Sequence, residues 1–177
     1  MDFDLIIIGS GPGGYVAAIR ASQLKMKVAV IEKAEPGGIC LNWGCIPTKS
    51  LLKSAQVFEY LTHAADYGIS VNGEVKADFS AMIARSRGVA DGMSKGIQFL
   101  FRKNNITHIK GFGRLVSAGN VEVEEEGGTR KTYTASNIIL AAGARSKELP
   151  NLKQDGKKVI GYREAMTLQK QPGSMVV

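Results

Sequence analysis

The sequence is poor in the residues that most often mark reactive sites: two cysteines, two histidines and one tryptophan in 177 positions, with aromatics at only 7%. Two thiols cannot build a disulfide scaffold of the kind small secreted domains use. Only His63 and His108 could add nitrogen ligands, and neither lies near the cysteines or at ligand spacing to the other, so no metal site is expected. No apolar run approaches the length of a bilayer span, which predicts no membrane insertion. The start, Met-Asp-Phe-Asp, is acidic and the apolar run behind it, Leu5 to Ile8, is short. A secretory signal has a basic start and a longer apolar stretch, so a soluble, cytoplasmic protein is expected. Acidic residues are in the minority, and part of the +7 net charge lies where Arg85, Arg87, Lys95, Arg102, Lys103, Lys110 and Arg114 face only Asp91. That stretch lacks interleaved aromatics suited to base stacking, so it reads as a solvated helix face and no nucleic-acid partner is expected.

Glycine is plentiful, at 21 residues, and hydrophobic residues make up 44% of the chain, enough for one domain or one domain plus a fragment. Residues 3–8 read as a short buried strand, the helical pattern that follows the glycines runs to about Leu24, and residues 27–32 read as a second strand. Strand, turn, helix and strand make a βαβ unit with parallel strands. Pro47 can open a helix continuing to about Ala65, and Asp78 can cap another reaching about Asn104. Beyond Ile106 the pattern turns to strands, with Gly127-Gly128 as a hairpin signal. Residues 137–144, "NIILAAGA", read as a further buried strand ending in a glycine turn. The expected fold class is α/β: a doubly wound, mostly parallel sheet with a long helical segment and a small antiparallel meander. A new strand is expected to open at Ser174, which suggests a truncated piece of a longer protein.

The glycine turn Gly9-Ser10-Gly11-Pro12-Gly13-Gly14 fits G-x-G-x-x-G. Glycine is needed because the chain turns tightly and a pyrophosphate must approach the backbone, where the helix start offers unpaired N–H groups and the positive end of its dipole. Alone the pattern is weak. Its position between strand and helix, with Glu32 eighteen residues after Gly14 at the end of the second strand, makes a bound dinucleotide the stronger reading. An acid there suits a ribose 2′-hydroxyl rather than a 2′-phosphate, but does not separate FAD from NAD.

Both cysteines fall in "GGICLNWGCIPTK", with four residues between Cys40 and Cys45. A zinc site, a structural staple and a redox pair are the three readings, and the redox pair accounts for most of the stretch. Cys45 stands at the start of the helix opened by Pro47, where the helix dipole stabilises a thiolate, and Lys49 adds positive charge on the same turn. Gly44 gives the intervening loop freedom to close a short ring. Favouring the thiolate also favours the reduced state, as a cycling pair needs. A dithiol beside a dinucleotide site suggests a flavin as electron partner.

Taken together, Gly9 to Gly14, Glu32, "GGICLNWGCIPTK" and "NIILAAGA" resemble the N-terminal part of the flavin-dependent disulfide reductases. Within that family the chain is most similar to the members that oxidise dihydrolipoyl groups. The resemblance covers the whole chain. It implies that residues 1–168 form the first part of an FAD-binding domain and residues 169–177 the start of an NAD-binding domain. It also implies roles: Gly9, Gly11, Pro12, Gly13 and Gly14 at the FAD pyrophosphate, Glu32 and Lys33 by the adenosine ribose, and Gly38 in the same cradle. Cys45 would be the thiolate next to the flavin, Cys40 the outer sulfur exchanging with substrate, and Lys49 a positive charge near the flavin ring. Gly113, in a "GFG" turn, would offer backbone to adenine, and Ala142-Gly143-Ala144 would approach the flavin portion or the pyrophosphate. The implied partners are NAD as final acceptor, a second copy of the complete protein in a homodimer, and the lipoyl domain of 2-oxo acid dehydrogenase complexes or of the glycine cleavage system. The family's His-Glu pair, which serves the other subunit, has no match at His63 or His108, so the chain by itself is expected to be inactive. Ile39 and Ala142 depart from the usual threonines, removing two hydroxyls at positions that can act through backbone. The rival readings are an NADPH-linked glutathione- or mercuric-reductase type, and a non-catalytic flavin-binding assembly module.

Overall fold

The computed structural model describes residues 1–177. Its elements begin β1 (Phe3–Ile8), α1 (Pro12–Gln23), β2 (Val28–Glu32), α2 (Gly38–Trp43), α3 (Cys45–Thr62) and α4 (Phe79–Lys103). They continue with β3 (Thr107–Lys110), β4 (Phe112–Ser117), β5 (Asn120–Glu124), β6 (Arg130–Leu140) and α5 (Tyr162–Ala165). The chain forms two compact units, Met1–Asn42 with Asp91–Arg145, and Trp43–Ala90 with Ser146–Val177.

The first unit holds the sheet, in the order β3-β2-β1-β6-β5-β4. β1 pairs in parallel with β2 on one side and β6 on the other, and β2 pairs in parallel with β3. Five of the six β1 residues are buried, which is why this strand reads as a continuous apolar run instead of an alternating one. α1 buries Gly14, Ala18 and Ala21, small residues at helical spacing on one face. The antiparallel pairs β4–β5 and β5–β6 form the meander. Between β5 and β6, Gly127 and Gly128 take φ of 99° and 83°, conformations that favour glycine. Phe3, Ile6, Ile8, Ala29, Ile31, Ile109, Val121, Val123 and Ala135 make one buried cluster, so the meander and the parallel strands share a core.

Residues 129–135 and 137–144 read in sequence as separate strands, the second one buried. They form one strand, β6, which is antiparallel to β5 near Arg130–Thr134 and parallel to β1 from Ala135 to Leu140. The strand runs on through Ser136 because β5 pairs with its first part and β1 takes over with its second, information that hydropathy does not carry. Ala135 is fully buried, whereas Ile139 and Leu140 stand 38% and 63% exposed. At the strand's start Asp2 clips it to the N-terminus: the Thr134 N–H and hydroxyl donate to the Asp2 carboxylate at 2.8 and 2.9 Å. The backbone N–H bond holds the Asp2 carboxyl below its ordinary range.

In the second unit α3 is tied to the residues that open α4. Arg85 Nη1 donates to the Ser50 carbonyl at 3.1 Å and to the Ser50 hydroxyl at 2.8 Å. Asp78 caps α4 as expected, its Oδ1 accepting from the Ala81 N–H at 2.9 Å. Residues 174–177 form no strand, contrary to the sequence expectation. A strand requires a paired neighbour, and this apolar run has none.

Candidate functional site

The glycine turn is built from the backbone outward. At the end of β1, the Gly9 N–H donates to the Ile31 carbonyl at 2.8 Å, and Gly9 adopts φ of +102°. A Cβ there would overlap the Ala141 carbonyl oxygen, and one on Gly14 would overlap the Gly9 carbonyl oxygen. Gly38 closes from the other side, its would-be Cβ lying 2.6 Å from the Gly11 Cα. The outer face is different: a Cβ on Gly11 would meet only the Gly38 Cα at 3.9 Å, and one on Gly13 would meet nothing within 4 Å. Three of these glycines are therefore required by packing, while two leave the backbone bare. α1 starts at Pro12, after an N-cap Gly11 that has no side chain to cap with, and its first turn carries no acid. The first N–H groups and the positive end of the dipole thus face the bare side, the arrangement that accepts a phosphate.

Glu32, at the end of β2, is organised by the same turn. Its Oε2 accepts from the Ser10 N–H at 2.9 Å and the Ser10 hydroxyl at 2.8 Å, and its Oε1 accepts from the Ala34 N–H at 3.0 Å. Ser10 is fully buried. The carboxylate therefore locks the glycine turn to β2 and retains free lone pairs for a hydroxyl. Sequence spacing anticipated the acid but not its partner Ser10, whose only signal is its place inside the motif. Glu32→Gln keeps an acceptor oxygen but loses the charge, and is expected to cost about 1–2 kcal/mol in urea unfolding. An unchanged midpoint would show that Ser10 does not depend on this carboxylate.

The remaining expected cofactor residues take varied positions. The Ala141 N–H donates to the Ile8 carbonyl at 2.8 Å, which brings the end of β6 beside Gly9. Ala142, Gly143 and Ala144 follow as exposed backbone, with Gly143 at φ of +72°. Lys33 is exposed, with its ammonium 5.2 Å from the centroid of the Phe112 ring. Gly113 lies inside β4, opposite Val123, and not in a turn as the sequence suggested. A Cβ there would sit 3.1 Å from Ile31 Cγ2 and 3.3 Å from Ile8 Cγ2, so its missing side chain lets β4 lie close over the ends of β1 and β2.

Cys40 and Cys45 are the only cysteines and neither is free; they are joined in a disulfide. The stretch between them is not the open loop expected from Gly44. Cys40 sits in the six-residue helix α2, and Cys45 is the first residue of α3. α2 forms because Asn42, 3% exposed, donates through Nδ2 to the Pro36 carbonyl at 3.1 Å and the Gly38 carbonyl at 3.0 Å. Sequence reasoning missed this residue, although a buried asparagine beside a cysteine is a recognisable anchor. Gly44 is the N-cap of α3 and supplies no side-chain cap, Pro47 occupies the third position, and the Thr48 N–H makes the 3.0 Å bond to the Gly44 carbonyl. The first turn has no acid, and Lys49 and Cys45 are both exposed. A thiolate at Cys45 would meet the dipole's positive end. Trp43 was also missed in sequence: its ring has the Arg87 guanidinium 4.1 Å and the Arg163 guanidinium 5.0 Å from its centroid. Neither histidine joins the cysteines, since His63 bonds Glu59 and His108 packs on Phe101.

A strand–glycine turn–helix nucleotide cradle in a chain whose two cysteines form a disulfide defines a class, and comparison with known proteins names it. The family model described as pyridine nucleotide-disulphide oxidoreductase matches residues 3–177, and the chain belongs to this family. It is 48% identical over 177 residues to a protein of Zymomonas mobilis named dihydrolipoyl dehydrogenase, covering 99% of this chain and 37% of that protein. The protein of that name from Rhizobium etli is 45% identical, covering 99% of this chain and 39% of the relative. A mitochondrial one from Arabidopsis thaliana is 42% identical, covering 98% and 34%. The chain thus spans well under half the length of these relatives. The cofactor implied by the family is FAD, with NAD serving the full-length proteins. The bare backbone at Gly11 and Gly13, the uncapped start of α1 and the organised Glu32 carboxylate fit a dinucleotide of that kind. No helix is long and apolar enough to cross a membrane.

Proposed function

We propose that this chain is the disulfide-bearing, FAD-holding part of an enzyme that oxidises dihydrolipoyl groups and delivers their electrons to NAD+. The observation that carries the reading is the Cys40–Cys45 disulfide with Cys45 opening an uncapped helix, in a chain whose glycine turn is left open for a dinucleotide. Gly11, Gly13 and Gly14 offer backbone N–H groups to the pyrophosphate, while Gly9 makes the tight turn and Pro12 opens the helix beneath it. Gly38 closes the cradle, and Glu32 takes the ribose hydroxyl. Lys33 and Gly113 flank the adenosine end, and the Ala142–Ala144 backbone the flavin end. Bound FAD would supply the acceptor for the electron pair of the reduced cysteines.

A dihydrolipoyl thiolate attacks the Cys40 sulfur, the Cys40–Cys45 bond breaks, and Cys45 leaves as a thiolate. The α3 dipole and Lys49 stabilise that leaving group. The second substrate thiol then displaces Cys40 and closes the lipoyl disulfide. Two electrons pass to the pair, one proton stays on the Cys40 thiol and one goes to solvent. The His-Glu base of the family, the NAD-binding part and the dimer contacts belong in this reading to the complete polypeptide, whose partner is a lipoyl domain.

The test is anaerobic addition of dihydrolipoamide to the FAD-loaded chain and to the complete polypeptide. The expected result is an opened disulfide in both, with NADH formed from NAD+ only by the complete polypeptide. A disulfide untouched by dihydrolipoamide but opened by glutathione would move the protein to another disulfide reductase. Failure to retain any FAD would remove the flavin from the reading.

A further inference from the structure

Trp43 immediately precedes Gly44, the N-cap of α3, and Cys45 comes next in the chain. Its indole lies near two cations: the Arg87 guanidinium carbon from α4 at 4.1 Å from the ring centroid, and that of Arg163 from α5 at 5.0 Å. The indole Nε1–H and one guanidinium nitrogen of Arg87, Nη1, are both buried without a hydrogen-bond partner. Orphaned buried donors are costly and call for an explanation. A guanidinium against an indole is attracted by the ring's quadrupole, most strongly when water is excluded. The cost is therefore offset by a contact that fixes the ring of a residue two positions before Cys45.

We infer that Trp43, held by Arg87 and Arg163, is a positioning residue for the redox pair: it keeps guanidinium charge beside the Cys45 end of the disulfide and so favours the Cys45 thiolate over the disulfide. The inference rests on the redox reading of the pair. It adds a source of positive charge separate from the helix dipole and from Lys49. Trp43 does not touch the reacting atoms in this scheme; it acts by holding Arg87.

The test is equilibration of the full chain with reduced and oxidised dithiothreitol, followed by acid quenching, alkylation and mass measurement. Each turnover breaks the Cys40–Cys45 bond and forms the ring disulfide of dithiothreitol. Two electrons are transferred, one proton stays on Cys40 and one is released as Cys45 becomes the thiolate. By Coulomb's law, a unit charge at a separation of about 10 Å and an intermediate dielectric would change the reduced-to-oxidised ratio about threefold. For a two-electron couple that is about 14 mV. Arg87→Gln and Trp43→Leu should each lower the ratio by about threefold at pH 7 and move the Cys45 alkylation–pH midpoint upward. Trp43→Phe, which keeps an aromatic face, should stay near the parent.

If Arg87→Gln and Trp43→Leu titrate with the parent in both ratio and alkylation profile, the inference is overturned. If Trp43→Phe shifts as far as Trp43→Leu, the ring face is not what holds the charge, and the inference is again overturned. Should Trp43→Leu fail to fold by circular dichroism, Arg87→Gln decides alone. If the parent disulfide cannot be reduced reversibly at all, it is the redox reading itself that fails.

Discussion

Gly9→Ala is expected to destabilise the chain by about 3 kcal/mol or more and to abolish dinucleotide binding with it. Two effects add. Gly9 sits at φ of +102°, which an alanine adopts only under strain, and its new Cβ would overlap the Ala141 carbonyl oxygen while lying 2.7 Å from the Ala141 carbonyl carbon. Neither neighbour can give way cheaply, because the Ala141 N–H is bonded to Ile8 and the Gly9 N–H to Ile31. Gly13→Ala is the control. Nothing lies within 4 Å of that Cβ, and alanine is the better helix former, so stability should hold or rise by about 0.5–1 kcal/mol. If the bare face is where the phosphates lie, the same methyl should still weaken FAD binding at least tenfold. Urea unfolding beside flavin titration separates the two outcomes. A Gly13→Ala chain that binds FAD as the parent does would show that the cradle is not the phosphate site.

Replacing either cysteine by serine should abolish dithiol exchange completely, yet the two variants should differ in their remaining thiol. Cys40→Ser leaves Cys45 as the first residue of the 18-residue α3, in a turn with no side-chain cap and no acid. Cys45→Ser leaves Cys40 inside the short α2, where no long helix dipole points at it. Cys40→Ser should therefore react with iodoacetamide at pH 7 about tenfold faster than Cys45→Ser. Both lose the short ring closed by the disulfide, a cost of about 2 kcal/mol by chain entropy. Denaturing both variants before alkylation checks the cause, because unfolding should erase the difference in rate. Equal rates in the folded chains would mean that the start of α3 does not activate Cys45.

Much of this site is legible in the chain because its signals are local. A glycine that must turn at positive φ, a proline tolerated in a first helical turn, an aspartate capping α4 and an acid closing a strand all act over a few residues, and Gly9, Pro47, Asp78 and Glu32 stand as their chemistry requires. The cysteine pairing is equally local: Cys40 and Cys45, with four residues between them, are joined in the disulfide.

What the sequence left unread depends on residues far apart in the chain. Ser10 is buried only because Glu32, two elements later, accepts its hydroxyl, and Arg85 reaches Ser50 across 35 positions. β6 continues through Ser136 because β1 and β5 each supply partners, a matter of pairing and not of hydropathy. Gly113 resembles a turn residue yet lies in a strand, where a Cβ would press on the Ile31 and Ile8 methyls. Trp43 shows no function in the sequence; only folding brings Arg87 and Arg163 to its ring. The sequence by itself determined the local devices: the glycine turn, the helix starts, the acid and the cysteine pair. The tertiary structure decided which of their atoms are satisfied and which remain open, because hydrogen bonds, pairing and charge proximity are set by distance in space, which spacing along a chain does not specify.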